Sequence, residues 1–227
     1  MDKVKVEKLL SETVRFVKES LHSAEGGHDW LHTERVWNNA RQIGSAENAN
    51  LIVVELASIL HDVADSKFHD GDEELGAIIS RQFLDKQGLD SAIIEDVVYI
   101  IRHISFKGGQ NNEVGKSIEF KVVQDADRLD AIGAVGIARC FNYGGYKNRP
   151  IFDPTCPPKM NQSKEEYKNS VAPSINHFYE KLIRLEQLMN TETGRNMAKR
   201  RNNFMLSYLK QFFDEVGISE NQFLHQL

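Results

Sequence analysis

Apolar positions recur every three to four residues along most of the chain, the spacing of helices that bury one face. In "KVEKLLSETVRFVKESL" the set Val6, Leu9, Leu10, Val14, Phe16, Val17 and Leu21 predicts a first helix. A Gly26-Gly27 break separates it from "HDWLHTERVWNNARQI", where Trp30, Val36, Trp37, Ala40 and Ile43 offer packing positions and Gly44 stands where a terminator belongs. A third helix is predicted from about Asn50 to Val63. A fourth runs from Glu73 to Lys86, between an Asp72 cap and a Gly88 stop. Ser91–Ile104 reads as a fifth helix and Ser117–Phe141 as a sixth. Two long helices are expected after that, about Ser163–Met189 and Thr191–Val216. No stretch of useful length alternates every second residue. The predicted class is therefore all-α, a single-domain helical bundle over residues 1–227.

One segment breaks the helical pattern. From about 142 to 162 the chain reads "NYGGYKNRPIFDPTCPPKM" and beyond, and this stretch holds four of the five prolines. So long an irregular segment is more often functional or disordered than a plain connector. Tyr143 and Tyr146 flank two glycines, which suits a lid that stacks on a base or, more simply, a turn into the proline-rich stretch. "AKRRNNF", Ala198 to Phe204, is basic and reads better as a solvated helical face than as a phosphate contact.

Composition narrows the partners. A net charge of −5 argues against a general nucleic-acid binder, and 41% hydrophobic with 27% charged residues is ordinary for a globular protein. Two cysteines, Cys140 and Cys156, with no CxxC spacing argue against a disulfide framework or a thiolate zinc site. No apolar leader or membrane-length run is present, so a cytoplasmic protein is the expectation. Homo-oligomerisation is left open.

The chemistry gathers where the apolar helices end. In "ASILHDVADSKF" the run Leu51–Leu60 delivers His61, Asp62 and Asp65 within about one turn. An apolar helix that ends in carboxylates needs donors or a cation to offset the cost of burying them, several kcal/mol or more. Further ligands are available in two places. His28 and His32 are four apart in "GGHDWLHTERV", and Asp125, Asp127 and Asp130 lie in the apolar "VVQDADRLDAIGAVGIAR". No GxSxG, GxxxxGK[ST] or GxGxxG motif offers a different chemistry.

The ordered set His32 … His61-Asp62 … Asp127 resembles the H…HD…D pattern of the HD-domain metal-dependent phosphohydrolases. The phrases "IIRHISFK" and "YGG" also look like the small single-domain bacterial members, some of which are nucleotide pyrophosphohydrolases. These motifs span about 27–145, and "MNTETGRNMAKRR" near the C-terminus looks similar as well. The resemblance implies an all-helical HD-type fold. His32, His61, Asp62 and Asp127 would hold one divalent ion, with Asp125 and Asp130 set aside as distal ligands and Asp130 in a supporting place. Mixed nitrogen and oxygen donors suit manganese, iron, cobalt, nickel or magnesium, with manganese preferred.

Asp65 matches the acidic residue that transfers protons in related hydrolases, and it stands one turn beyond Asp62 on a helix. Lys67, His103 and Arg128 are candidate substrate-binding residues, since phosphate oxygens need positive neighbours. The implied reaction is cleavage of a phosphoanhydride in nucleoside triphosphates by activated water. The alternatives are a nucleotide phosphomonoesterase or phosphodiesterase, or a non-catalytic nucleotide-binding regulatory module.

Overall fold

Short polar side chains start several of the helices. Asp2 accepts from the Lys5 amide (3.0 Å), Asp29 from His32 (2.9 Å), Asn50 from Ile52 (3.2 Å) and Asp90 from Ala92 (2.8 Å). Each bond satisfies an amide that a helix start leaves without an intrahelical acceptor. The computed structural model describes residues 2–21, 29–64, 74–104, 117–163, 166 and 170–224. Its first helices are α1 (Lys3–Ser20), α2 (Trp30–Ala46), α3 (Leu51–Leu60), α4 (Leu75–Lys86) and α5 (Ser91–His103). Then come α6 (Ile118–Asp130), α7 (Gly133–Tyr146), α8 (Glu192–Val216) and the short α9 (Glu220–Leu224). Among the described residues there is no strand, and the class is all-α. No helix among the described residues is long and apolar enough to cross a membrane.

Two compact units are distinguishable: α1 to α5 with α6 as far as Asp127, and the chain from Arg128 onward. In the first unit α3 is the central element. Val53, Val54, Leu56, Ala57, Ile59 and Leu60 are all essentially buried, because α1, α2 and α5 pack around it. Each large aliphatic side chain so buried stabilises by roughly 1.5–3 kcal/mol. A charge at Leu56 would break this arrangement.

Gly44 lies within α2 and does not terminate it. A Cβ at that position would stand 3.1 Å from Leu51 Cδ2, so the glycine permits the close approach of α3. The turn after α2 is made instead by Asn48 at φ +56°, a left-handed conformation that asparagine tolerates. Gly88 behaves as its position suggested, with φ +67° just past α4. The proposed Asp72 cap falls outside the described residues.

The predicted sixth helix is two helices. α6 closes with short-range bonds from the Ala131 amide to Arg128 O (3.2 Å) and from Ile132 to Leu129 O (3.3 Å). Gly133, at φ +76°, then opens α7. The break is invisible to periodicity because "AIGAVGIA" stays small and apolar throughout.

In the second unit α7 continues to Tyr146, so the first part of the expected 142–162 loop is helical. Tyr143 and Tyr146 are exposed on it, and the Lys147 ammonium lies 5.8 and 5.0 Å from their ring centres. The irregular stretch starts at Lys147.

The expected helix from 163 to 189 does not form as one element. Pro173 lacks an amide proton, and the amides just after it bond sideways: Ser174 to Pro150 O (2.8 Å) and Ile175 to Ile151 O (3.1 Å). A π-helical turn, Phe178–Leu182, and a 3-10 turn, Ile183–Leu188, follow. α8 starts at its Thr191 cap and ends at Gly217 (φ +70°), in agreement with the predicted last helix. α9 seats Phe223, fully buried, against Phe152 and Phe213, with ring centres 5.1 and 5.6 Å away.

Candidate metal centre

Three helices of the first unit bring four side chains to one point. The Asp29 cap fixes the first turn of α2 and thereby the start of the helix that carries His32, which is 1% exposed. His61 terminates α3 and is likewise buried. Its Nδ1 lies 2.8 Å from the Ser58 carbonyl, and a carbonyl can only accept, so Nδ1 carries the proton. Nε2 of His61 is therefore the lone-pair nitrogen, and it faces Nε2 of His32 at 3.2 Å.

Two carboxylates complete the group. Asp62 Oδ2 is 3.3 Å from His32 Nε2 and 3.5 Å from His61 Nε2. Asp127 Oδ1, from α6, is 3.7 and 4.0 Å from the same two nitrogens. The histidines are almost wholly buried, while the Asp127 side chain keeps 39% of its exposure. The cluster thus meets solvent along its Asp127 edge.

These spacings fit a bound divalent ion. With metal–ligand bonds of about 2.1 Å, neighbouring ligand atoms of an octahedron stand about 3.0 Å apart and opposite ones about 4.2 Å. His32, His61 and Asp127 lie close enough to one another to share one ion, and Asp62 Oδ2 is within 3.5 Å of both imidazole nitrogens. Without a cation, two imidazoles and two carboxylates would converge with at most a proton or two among them, a costly arrangement at this depth.

A family model for the HD domain matches residues 30–132, the segment that carries all four of these side chains. Bacillus subtilis YpgQ is 36% identical over 209 residues, spanning 91% of this chain and 93% of the relative. This chain belongs to the HD family. Two solved structures extend the likeness beyond the matched segment. An HD-superfamily hydrolase from Bacillus thuringiensis is 37% identical with a TM-score of 0.76, covering 94% of this chain and all of that one (100%). Bacillus subtilis YpgQ in complex with ADP is 36% identical with a TM-score of 0.75, covering 93% of this chain and 96% of that one. The protein is a metal-dependent phosphohydrolase of the HD superfamily, and its cofactor is a divalent metal ion.

The other carboxylates of the α6 motif have different surroundings from the HD cluster. Asp130 is 1% exposed and accepts from Arg139 Nη1, which makes it a structural ion pair. Asp125 is fully buried on the same helix. His103 closes α5 with Nδ1 2.8 Å from the Tyr99 carbonyl and its ring 4.3 Å from the Tyr99 ring. That anchoring is the ordinary helix-end role for a histidine, and it also fixes which way Nε2 points. Arg128 donates from Nη1 to the Leu188 carbonyl. Asp65 and Lys67 lie outside the described residues, as does His28.

Two supporting groups of this HD site were not anticipated. Asp29 precedes His32 by three positions, and that capping spacing was readable in "HDWLH". The Ser58 carbonyl that sets the His61 tautomer is a backbone group and has no sequence signal.

Proposed function

We propose that this protein cleaves a phosphoanhydride bond of nucleoside triphosphates, releasing pyrophosphate and a nucleoside monophosphate. The observation that carries the reading is the meeting of two imidazole nitrogens 3.2 Å apart with the Asp62 and Asp127 carboxylates, each 3.3–4.0 Å from those nitrogens, Asp127 being partly exposed. His32, His61, Asp62 and Asp127 would hold a single ion, manganese by preference among the divalent metals that accept mixed nitrogen and oxygen donors. When bound, such an ion offsets charge on phosphoryl oxygens and lowers the pKa of water in its coordination sphere.

The remaining chemistry belongs to this chain. Asp65 follows Asp62 by three positions and is proposed to move the proton, either from the attacking water or to the leaving oxygen. His103 presents Nε2 from an anchored ring and is proposed, with Lys67, to meet the phosphate charge. Arg128 is the weakest of the proposed substrate contacts, because its guanidinium already serves Leu188 O. The ADP complex of YpgQ supports a nucleotide as the ligand class. No base-reading motif is evident in the sequence, so loose base selection is expected.

The test is a panel of ribo- and deoxyribonucleoside triphosphates with Mn²⁺, with products separated by chromatography. Monophosphate plus pyrophosphate is the expected outcome. Nucleoside plus orthophosphate from monophosphates would replace this reading with a phosphomonoesterase. Tight nucleotide binding without turnover would replace it with a binding module.

A further inference from the structure

The C-terminal turn of α6 is held by a residue far away in sequence. Asp127 and Leu129 share that turn, two positions apart on one helix. Arg201, on α8, donates from Nη1 to the Leu129 carbonyl at 2.5 Å. The same carbonyl also accepts from the Ile132 amide at 3.3 Å, so both of its lone pairs are engaged just where intrahelical donors run out.

The stem of Arg201 is fitted as closely as its tip. A Cβ at Gly133 would stand 3.0 Å from Arg201 Cβ and 3.1 Å from its Cγ. Gly133 also has φ +76°, so conformation and space both exclude a side chain there. Burial disfavours the charged form of Arg201, and the Asp130 carboxylate opposes that effect. The planar guanidinium is pre-organised, so it loses little freedom in donating to Leu129 O. "AKRRNNF" is thus not simply a solvated basic face: one of its arginines is built into the α6–α7 corner.

We infer that Arg201 is a positioning residue for the cation site: by clamping Leu129 O beside Gly133, it sets the last turn of α6 and so the place of the Asp127 carboxylate. This rests on the metal reading above. Arg201 touches neither ion nor substrate. It acts through the backbone of the helix that carries Asp127.

The experiment is Mn²⁺ binding to the full chain, followed by the electron paramagnetic resonance signal of unbound Mn²⁺, at a temperature where every variant is folded by circular dichroism. Arg201→Met keeps a stem against Gly133 and removes the donor. Arg201→Lys keeps the charge and a donor group but loses the planar guanidinium. Phe223→Leu, in the aromatic cluster around α9, controls for loss of stability at a distance. The parent is expected to bind Mn²⁺, and Arg201→Met to bind at least about tenfold more weakly, the scale on which supporting contacts tune metal sites. Arg201→Lys should recover part of the loss, and Phe223→Leu should stay within about twofold of the parent.

Parent-like binding by Arg201→Met overturns the inference alone, as does equal weakening by Phe223→Leu. A parent that binds no Mn²⁺ overturns the metal reading, and the inference falls with it. If Arg201→Met does not fold, Arg201→Lys decides the matter, since it keeps the stem and the charge but loses the planar guanidinium that reaches Leu129 O. Weakened binding supports the inference, and parent-like binding overturns it.

Discussion

His61 is buried and His177 partly buried, one in each compact unit, and their surroundings are opposite. Around His61 Nε2 stand a second imidazole nitrogen and two carboxylate oxygens, all within 4.0 Å. His177 follows Asn176 in the turn that enters the Phe178–Leu182 segment. Burial pushes its pKa down from the usual value to about 3, and the positive charges of Lys181 and Arg149 push the same way. The first environment gathers lone pairs and asks for a cation. The second gathers cations around a neutral ring and asks for nothing more. Burial of a histidine therefore says little about function until the sign of its neighbours is known.

The same contrast recurs within α6. Asp127 keeps an exposed edge and joins the two histidines, whereas Asp130, three positions later, is sealed against Arg139. One carboxylate has its charge balanced by another residue of the chain. The other is left for an ion from outside.

The largest effect should come from removing a member of the lone-pair cluster. His61→Ala or Asp62→Ala is expected to lose metal content and turnover together, the latter by roughly a thousandfold or more. Elemental analysis alongside a product assay checks this. A variant that keeps its metal and its rate would remove the distinction between the two histidines.

His177 should show itself in acid and nowhere else. Its folded pKa of about 3 lies below the unfolded value of 6.5, so between those limits the unfolded chain binds the extra proton. Stability linked to this group is fully present above the upper limit and is lost as pH falls through the window, with a slope approaching about 1.4 kcal/mol per pH unit. Urea unfolding at several pH values within that window should show a shallower decline for His177→Gln than for the parent, with metal binding unchanged. An identical slope would mean that His177 is not held neutral.

A smaller change is expected at Asp29. Asp29→Ala removes the cap on the His32 amide and should cost about 1 kcal/mol of stability, with a modest weakening of metal binding because the first turn of α2 frays. Asp29→Asn or Asp29→Ser, which retain an acceptor, should restore most of both. Thermal melts and metal titration of the three variants test whether the cap acts on the site.

Much of this was legible in the residues themselves. Helices with strong caps and clear stops were placed to within a residue or two: α5 after Asp90, and α8 between Thr191 and Gly217. Their boundaries are written in local chemistry. The order of His32, His61, Asp62 and Asp127 along the chain singled them out as candidate ligands, and His32, His61 and Asp127 lie close together with Asp62 beside the two imidazoles.

What escaped was non-local. Gly44 reads as a stop until Leu51 is found lying against it, and Gly133 breaks a helix that the apolar period carries straight through. The helix expected over 163–189 is broken at Pro173, and the pairing of Ser174 and Ile175 with Pro150 and Ile151 joins segments more than twenty positions apart, which no local pattern shows. Arg201 looked like one more basic residue on a solvated face. Its carbonyl partner, seventy-two positions earlier in the chain, has no side-chain signature.

The most direct measurement is anomalous scattering from a crystal grown with Mn²⁺. The account predicts one strong peak within about 2.0–2.3 Å of His32 Nε2, His61 Nε2, Asp62 Oδ2 and Asp127 Oδ1. Anomalous density elsewhere, or these four side chains ordered around nothing at saturating Mn²⁺, would contradict it.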